Sequence, residues 1–315
     1  SLAPGPIESF EDLEALALPD GVFPLAMEAE SAYWTAGFFA AHGASLLNDE
    51  HGWGLEGEGA RIALRRLSRW VESGVVPEES SGDLVKRLFS EGQAAAAISG
   101  PWLAPDLPEA LDWRVQPLPV VASTGARMRP YATVEGAYLA ARAAQPDAAN
   151  RFAAFLTFGE GALLRARVAR QIVTDREAWP ALEGDAFLQR FREAADDAVV
   201  MPTHPHMRMI FGPADRAIRK VLRGTATPED ALEEGRHRFD DVTRPLPAPR
   251  SPAWGLAALG LLTLLGALAM VRRLREPAFR VALRKSMPAY RYVAHAAVAV
   301  DRKSTRLNSS HLRES

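Results

Sequence analysis

At 315 residues the chain has room for one or two domains with a substantial core. Its 37 basic and 39 acidic residues give a formal net charge of −2, so bulk electrostatics do not point to nucleic acid. Cysteine is absent, which excludes disulfide frameworks, thiolate metal sites and thiol nucleophiles.

The chain opens at Ser1 without a signal peptide, while later segments read as membrane-linked, so further polypeptide upstream is expected. Ser9 followed by Asp12 is a loose capping pattern for a short helix running through Leu16. Val22–Met27 reads as a strand. Ser31–Phe39 reads as the start of an aromatic-dense helix ending near Gly43. Phe38 and Phe39 are expected in the core. Tyr33 and Trp34, at the helix start, read as core or as a stacking surface.

Ile62, Leu64, Leu67, Trp70 and Val71 recur at helical spacing up to a stop at Gly74. The intervening Arg61, Arg65, Arg66 and Arg69 are expected on a solvated face. Asp83–Phe89 predicts a helix that Gly92 terminates. The small and β-branched residues from Ala94 to Ile98 then predict a short covered strand. Gly100-Pro101 turns the chain and presents Trp102, which reads either as core or as a ligand platform at a strand end.

Trp113–Leu118 and Gly136–Ala140 predict two further strands. Residues 146–170 predict a helix with Phe152, Phe155 and Leu156 on one face, and Asp185–Val199 another, apolar at Phe187, Leu188 and Phe191. Pro202 and Pro205 keep Val200–His206 extended. A helix follows over Ala214–Leu222. Thr227-Pro228-Glu229-Asp230 then opens one running to about Phe239, with cap, first-turn proline and acids all in place.

Residues 243–252 form a Pro-rich linker. Ala253–Val271 is an uncharged run of 19 residues, long enough to approach a bilayer span, with Trp254 at one end. Arg272, Arg273, Arg275, Arg280, Arg284, Lys285 and Arg291 crowd the other end. The positive-inside rule then places residues 1–250 outside the inner membrane and 272–300 in the cytosol. Tyr292–Val300 turns apolar again, as a second span would. Residues 301–315 resemble the translation of a sequencing adapter and are set aside from the fold.

No nucleophile elbow, phosphate-cradling loop or zinc-protease motif occurs, so no catalytic residue, metal ligand or cofactor is expected. His204 and His206 match no metal spacing and read as structural or solvent-exposed. What stands out is a set of aromatics at element ends: Tyr33, Trp34, Trp102 and Phe211. Rings of this kind pack on the C–H faces of sugars.

Several segments in order carry a further signal: Ser9-Phe10-Glu11-Asp12-Leu13, then Phe89-x-x-Gly92-x-Ala94-Ala95-x-x-Ile98-x-Gly100-Pro101-Trp102. Arg129-Pro130-Tyr131, Asp147-Ala-Ala-Asn150, Met201-Pro202 and Thr227-Pro228-Glu229-Asp230-Ala231-Leu232 follow. Over residues 5–242 this order resembles the sugar-binding (maltose-binding-like) family of extracellular solute-binding proteins of ABC importers. The resemblance implies an α/β fold of the periplasmic-binding-protein type II kind, mostly the second of two lobes that close on a ligand, followed by the transmembrane helix. It implies a ring-stacking role for Trp102, ligand contact for Tyr33, a stacking role for Phe211 and pocket lining by Met201. Where the family has an acidic residue two positions before Tyr33, this chain has Ser31, with Glu30 adjacent as the candidate. Gly212-Pro213 is expected to disturb the helix start after Phe211. The implied ligand is a maltose-type oligosaccharide. The implied partners are ABC permease subunits, one of them begun by residues 272–300, and a separate ATPase. A membrane-anchored solute sensor and an envelope glycan hydrolase are the alternatives.

Overall fold

A computed structural model describes residues 2, 5–79, 81–247, 253–279, 281–282 and 285. It divides into two units, Ser1–Pro245 and Leu246–Ser315.

The first unit begins with α1 (Phe10–Glu14), started by a complete capping box: Ser9 Oγ accepts from the Asp12 N–H, and Asp12 accepts from the Ser9 N–H. Strand β1 (Phe23–Ala26) leads to α2 (Ala32–Ala41), α3 (Gly57–Glu72) and α4 (Gly82–Ser90). Gly92, with φ of +69°, ends the α4 turn as a residue without Cβ can. Strand β2 (Ala94–Ala97) then returns parallel to β1, Phe23 opposite Ala94 and Leu25 opposite Ala96. Ala26, Val85, Leu88 and Ala94 pack α4 onto this pair.

The main core lies among α1, α2, α3, α8 (His206–Leu222) and α9 (Pro228–Thr243). Phe10, Phe38, Phe39 and Phe239 are fully buried there, and burying each such side chain contributes roughly 1.5–3 kcal/mol. Phe10 meets Phe38 edge-on at 5.3 Å. The arginine run of α3 divides, against expectation. Arg61 and Arg65 pair with Glu58 and Glu229 at the surface. Arg66 is buried: it pairs with Glu11 at 2.9 Å and Glu14 at 2.8 Å and lies over the Trp70 ring. Two carboxylates on α1 supply the counter-charge that makes its burial tolerable. Ile62, expected on the apolar face, is exposed instead.

Neither Trp113–Leu118 nor Gly136–Ala140 forms a strand. The pairs that form are β3 (Val120–Val121) antiparallel to β4 (Ala126–Arg127), and β5 (Tyr131–Ala132) parallel to β6 (Val199–Val200). An extended run becomes a strand only beside a partner that takes its N–H and C=O groups. Around residue 116 a side chain fills that role: the Gln116 amide accepts from the Ile7 N–H at 3.2 Å and donates to the Ile7 carbonyl at 2.7 Å.

The helix expected over 146–170 is two helices, α5 (Pro146–Thr157) and α6 (Gly159–Ala169), broken at Phe158, where Gly159 adopts φ of +59°. Phe152 and Phe155 are exposed. α6 packs through Ala162 and Ala166 on a second core with Val173, Trp179, Leu182 and Leu188, the last from α7 (Ala186–Asp196).

α8 is the other departure. It starts at His206 and runs through Gly212-Pro213 without ending. Pro213 is buried, as are Ile210, Ala214, Ala217 and Ile218, so packing of this face outweighs the missing backbone bond. α9 opens as expected, with Thr227 Oγ1 accepting from the Asp230 N–H.

In the second unit, α10 (Ala253–Leu274) is 22 residues long. Its Trp254–Leu274 stretch has a mean hydropathy of 2.1 and is long and apolar enough to cross a membrane. Residues 248–252 of the expected linker, the apolar run at 292–300 and all of 301–315 lie outside the described residues.

Candidate ligand-binding site

Five aromatic rings from separate parts of the sequence gather at the start of α2. Trp34 meets Trp102 edge-on, with centroids 6.1 Å apart at 62°. Tyr33 lies edge-on to Trp34 at 5.3 Å, and it stands 6.4 Å from Tyr131 and 6.3 Å from Phe211. Tyr33, Trp34, Tyr131 and Phe211 are half-buried, while Trp102 is 59 % exposed. Trp102 therefore is not a core residue. It stands on the 3₁₀ turn Pro101–Asp106 that follows β2. Its ring folds back over Gly100, where a Cβ would overlap Cη2 and Cζ3.

Close backbone packing brings in Tyr131. Gly37 of α2 lies against the Arg129 carbonyl, which any Cβ there would overlap. The 129–131 segment can thus lie directly on the helix that carries Tyr33. Sequence reading singled out Arg129-Pro130-Tyr131 as a segment but missed Tyr131 as a member of the ring cluster. A helical glycine one turn past Tyr33 was the available signal.

The first turn of α2 is held from outside. Ser31, its N-cap residue, makes no side-chain capping bond. The Ala32 N–H instead donates to Asp215 Oδ1 of α8 at 2.7 Å. Burial raises the Asp215 carboxyl above the ordinary carboxylate range, against that bond and the nearby Arg219. Glu30 is engaged by two arginines at the end of α8. Its carboxylate accepts from Arg219 at 3.0 Å and Arg223 at 3.1 Å, clamping the segment before α2 to the end of α8. Met201 packs on the main core, and its N–H donates to the Ala132 carbonyl at 3.0 Å, next to Tyr131. Glu28 is half-buried between β1 and α2, and desolvation raises its carboxyl.

His204 stacks on His51 with centroids 4.2 Å apart and planes within 12°, and His206 Nδ1–H donates to the His51 carbonyl at 2.8 Å. These imidazoles pack on one another, and no group of three or more His, Asp or Glu able to hold a metal occurs among the described residues. The aromatic cluster offers apolar faces, an arrangement suited to holding a flat ring edged with polar groups.

The bacterial extracellular solute-binding protein family matches residues 2–174. The chain belongs to that family. It is a family of binding proteins, not enzymes. This solute-binding chain is 26 % identical over 188 residues to the galactooligosaccharide-binding protein of Bacillus subtilis (strain 168), covering 58 % of this chain and 44 % of that protein. It is 28 % identical over 146 residues to the maltotriose-binding protein of Pyrococcus abyssi, covering 43 % of this chain and 31 % of that one. It thus spans less than half the length of these curated relatives. Among solved structures, the Thermus thermophilus maltotriose-binding protein bound with maltotriose superposes with a TM-score of 0.67 at 22 % identity, over 76 % of this chain and 68 % of that chain. A cyclo/maltodextrin-binding protein complexed with maltotetraose gives 0.64 at 24 % identity, over 78 % and 67 %. The fold is therefore the α/β fold of these solute-binding proteins.

Proposed function

We propose that this chain is the extracytoplasmic oligosaccharide-binding part of an ABC importer, taking ligands of the maltose type. The observation that carries this reading is the ring cluster, in which Trp102 stays largely exposed beside Trp34, Tyr33, Tyr131 and Phe211. Stacking on sugar C–H faces removes apolar area from water without requiring charge, and each ring is flat enough to accept a pyranose. The named ligands of the relatives, galactooligosaccharide and maltotriose, are of this chemistry.

In this reading Trp102 and Tyr33 form the main stacking wall, with Trp34 and Phe211 at its sides and Met201 lining behind. Residues 1–242 are mainly the second lobe, and a facing lobe closes on the sugar. Glu30, held by Arg219 and Arg223, stands just before the wall as a further candidate ligand contact.

α10 anchors the domain. At about 1.5 Å per residue its 21-residue Trp254–Leu274 stretch reaches the thickness of a hydrocarbon core, with Arg272, Arg273 and Arg275 at the cytosolic end. Residues 272–300 begin a permease subunit, and a separate ATPase supplies energy. A short tether of this kind gives an effective concentration on the order of millimolar at the permease.

Calorimetric titration of the full chain in detergent micelles with maltotriose and with a galactooligosaccharide tests the proposal. Binding that Trp102→Ala weakens by about tenfold or more is expected, the scale of a lost aromatic stack. Absence of binding to either sugar, or unchanged affinity in the variant, refutes it.

A further inference from the structure

Three imidazoles from two segments meet at the start of α8. His204 stacks on His51 with centroids 4.2 Å apart, and His206 meets His204 edge-on at 4.4 Å. His51 comes from the loop between α2 and α3, which is seated by Trp53, buried 6.1 Å from Phe239 of α9. His51 has φ of +61°, a left-handed backbone that side chains rarely adopt, and its carbonyl accepts from His206 Nδ1–H at 2.8 Å. A further bond closes the cluster: the His206 N–H donates to His204 Nδ1 at 3.2 Å. His206 is the first residue of α8, and the N-cap residue Pro205 makes no side-chain bond to the open N–H groups there. His204 supplies the acceptor from two residues away, as the side chain of an Asx turn does.

This bond fixes the protonation of His204. An N–H donates only to a ring nitrogen with a free lone pair, so Nδ1 carries no hydrogen and the ring is neutral. A proton taken up at Nδ1 sets donor against donor, at the helix end where the dipole disfavours positive charge. No carboxylate offsets it: the imidazole–carboxylate pair among the described residues is His237 with Glu233 on α9. The titratable groups facing His204 are His51 from the loop and His206 from α8. Desolvation, then charge on these two imidazoles, holds His204 below the ordinary 6.5. Asp49 and Glu50 precede His51 and Arg208 follows His206, with no ion pair to the stack among the described residues. Arg238 and Asp240, beside Phe239 on α9, pair with Glu234 and Arg236. We propose that His204 is a proton-released cap of α8: a proton taken from solvent at Nδ1 breaks the bond from the His206 N–H and frays the first turn of the helix. That turn leads to Phe211, five residues past His206 and 6.3 Å from Tyr33, so acid loosens one side of the ring cluster. The cap is intact above pH 6.5 and is lost as pH falls toward the depressed value. The effect on sugar binding rests on the oligosaccharide reading; the cap itself does not.

The test is amide hydrogen exchange of residues 206–211 in the full chain in detergent micelles, corrected for intrinsic rates, at about pH 7.5 and about pH 5. Wild type, His204→Asn and His204→Ala are compared. Asn keeps an acceptor that reaches the N–H two residues on and does not titrate. Wild-type protection is expected to fall about fivefold on acidification, the usual scale of a lost helix cap. His204→Asn is expected to keep its protection at both pH values, and His204→Ala to lack it at both. Wild-type protection that does not fall, an equal fall in His204→Asn, or full protection of His204→Ala at neutral pH each overturns the inference. If His204→Asn fails to fold, as read by circular dichroism, the wild-type exchange and His204→Ala decide. Calorimetry with maltotriose on the same samples reads the coupling: affinity that weakens toward acid in wild type and not in His204→Asn is expected, and equal profiles overturn the link to Phe211. Failure of every sample to bind sugar overturns the oligosaccharide reading and leaves the cap to be decided by exchange.

Discussion

The Ala32 N–H donates to the Asp215 carboxylate at 2.7 Å, joining residues 183 apart in the chain. The bond sits one residue before Tyr33 and two before Trp34, so α8 determines where the aromatic wall begins.

Asp215→Ala is therefore expected to cost about 1 kcal/mol of stability, the usual scale for a lost helix cap, and to weaken sugar binding through Tyr33 and Trp34. Burial raises the Asp215 carboxyl above its ordinary 3.8. The folded state then holds this proton more tightly than the unfolded chain, so its contribution is full below pH 3.8 and is lost as pH rises through the raised value. Asp215→Asn keeps an acceptor for Ala32 and removes that slope. Thermal denaturation across pH 3 to 7 distinguishes the two variants.

Gly37→Val drives a side chain into the Arg129 carbonyl. Overpacking of this kind costs about 1–3 kcal/mol, and relief comes by moving the 129–131 segment away from α2. Tyr131 then leaves Tyr33, from which it now stands 6.4 Å. Reduced sugar affinity with retained helical circular dichroism is the expected outcome; unchanged affinity would show that Tyr131 takes no part in the wall.

His42 is buried against Phe38, with Nδ1–H donating to the Phe38 carbonyl at 2.8 Å and Nε2 without a partner among the described residues. Burial holds its imidazole below the ordinary 6.5. The unfolded chain takes up this proton first, so stability is intact above pH 6.5 and falls as pH drops from there toward the depressed value. His42→Phe is expected to flatten the melting temperature between pH 7 and pH 5. A wild-type melting temperature that does not fall over that range would refute the assignment.

Because the chain has no cysteine, its topology can be read with single cysteines on a clean background. In intact cells, Asp49→Cys is expected to react with a membrane-impermeant maleimide and Lys285→Cys only after permeabilisation. Labelling of both, or of Lys285→Cys alone, would contradict the orientation drawn from the arginines flanking α10.

Much of the ring cluster was legible as residue type and place. Tyr33 and Trp34 at a helix start, and Trp102 on a Gly-Pro turn, are local patterns. Their convergence with Tyr131 and Phe211 was not legible, because no local rule links positions 33, 102, 131 and 211. Nor could sequence distinguish Glu28 from Glu30. Both precede α2 at nearly the same place, and only the arginines at the end of α8 decide that Glu30, and not Glu28, is ion-paired among the described residues.

By itself the sequence determined what forms from neighbours a few residues apart. It set the capping box at Ser9, the Thr227-Pro228 helix start, the stop at Gly92 and the long apolar helix with its arginine flank. In each, a side chain and the backbone it satisfies lie within one or two turns, or a run of side chains needs no partner at all. Tertiary structure alone decided the strand pairs, the burial of Arg66, the passage of α8 through Pro213 and the meeting of five rings. Each of these depends on a counter-charge, a backbone partner or a packing face supplied from far along the chain, as Glu11 and Glu14 supply it to Arg66 and Val199 to Tyr131. Such long-range partners are chosen by the packing of the whole molecule and leave no mark in the local pattern.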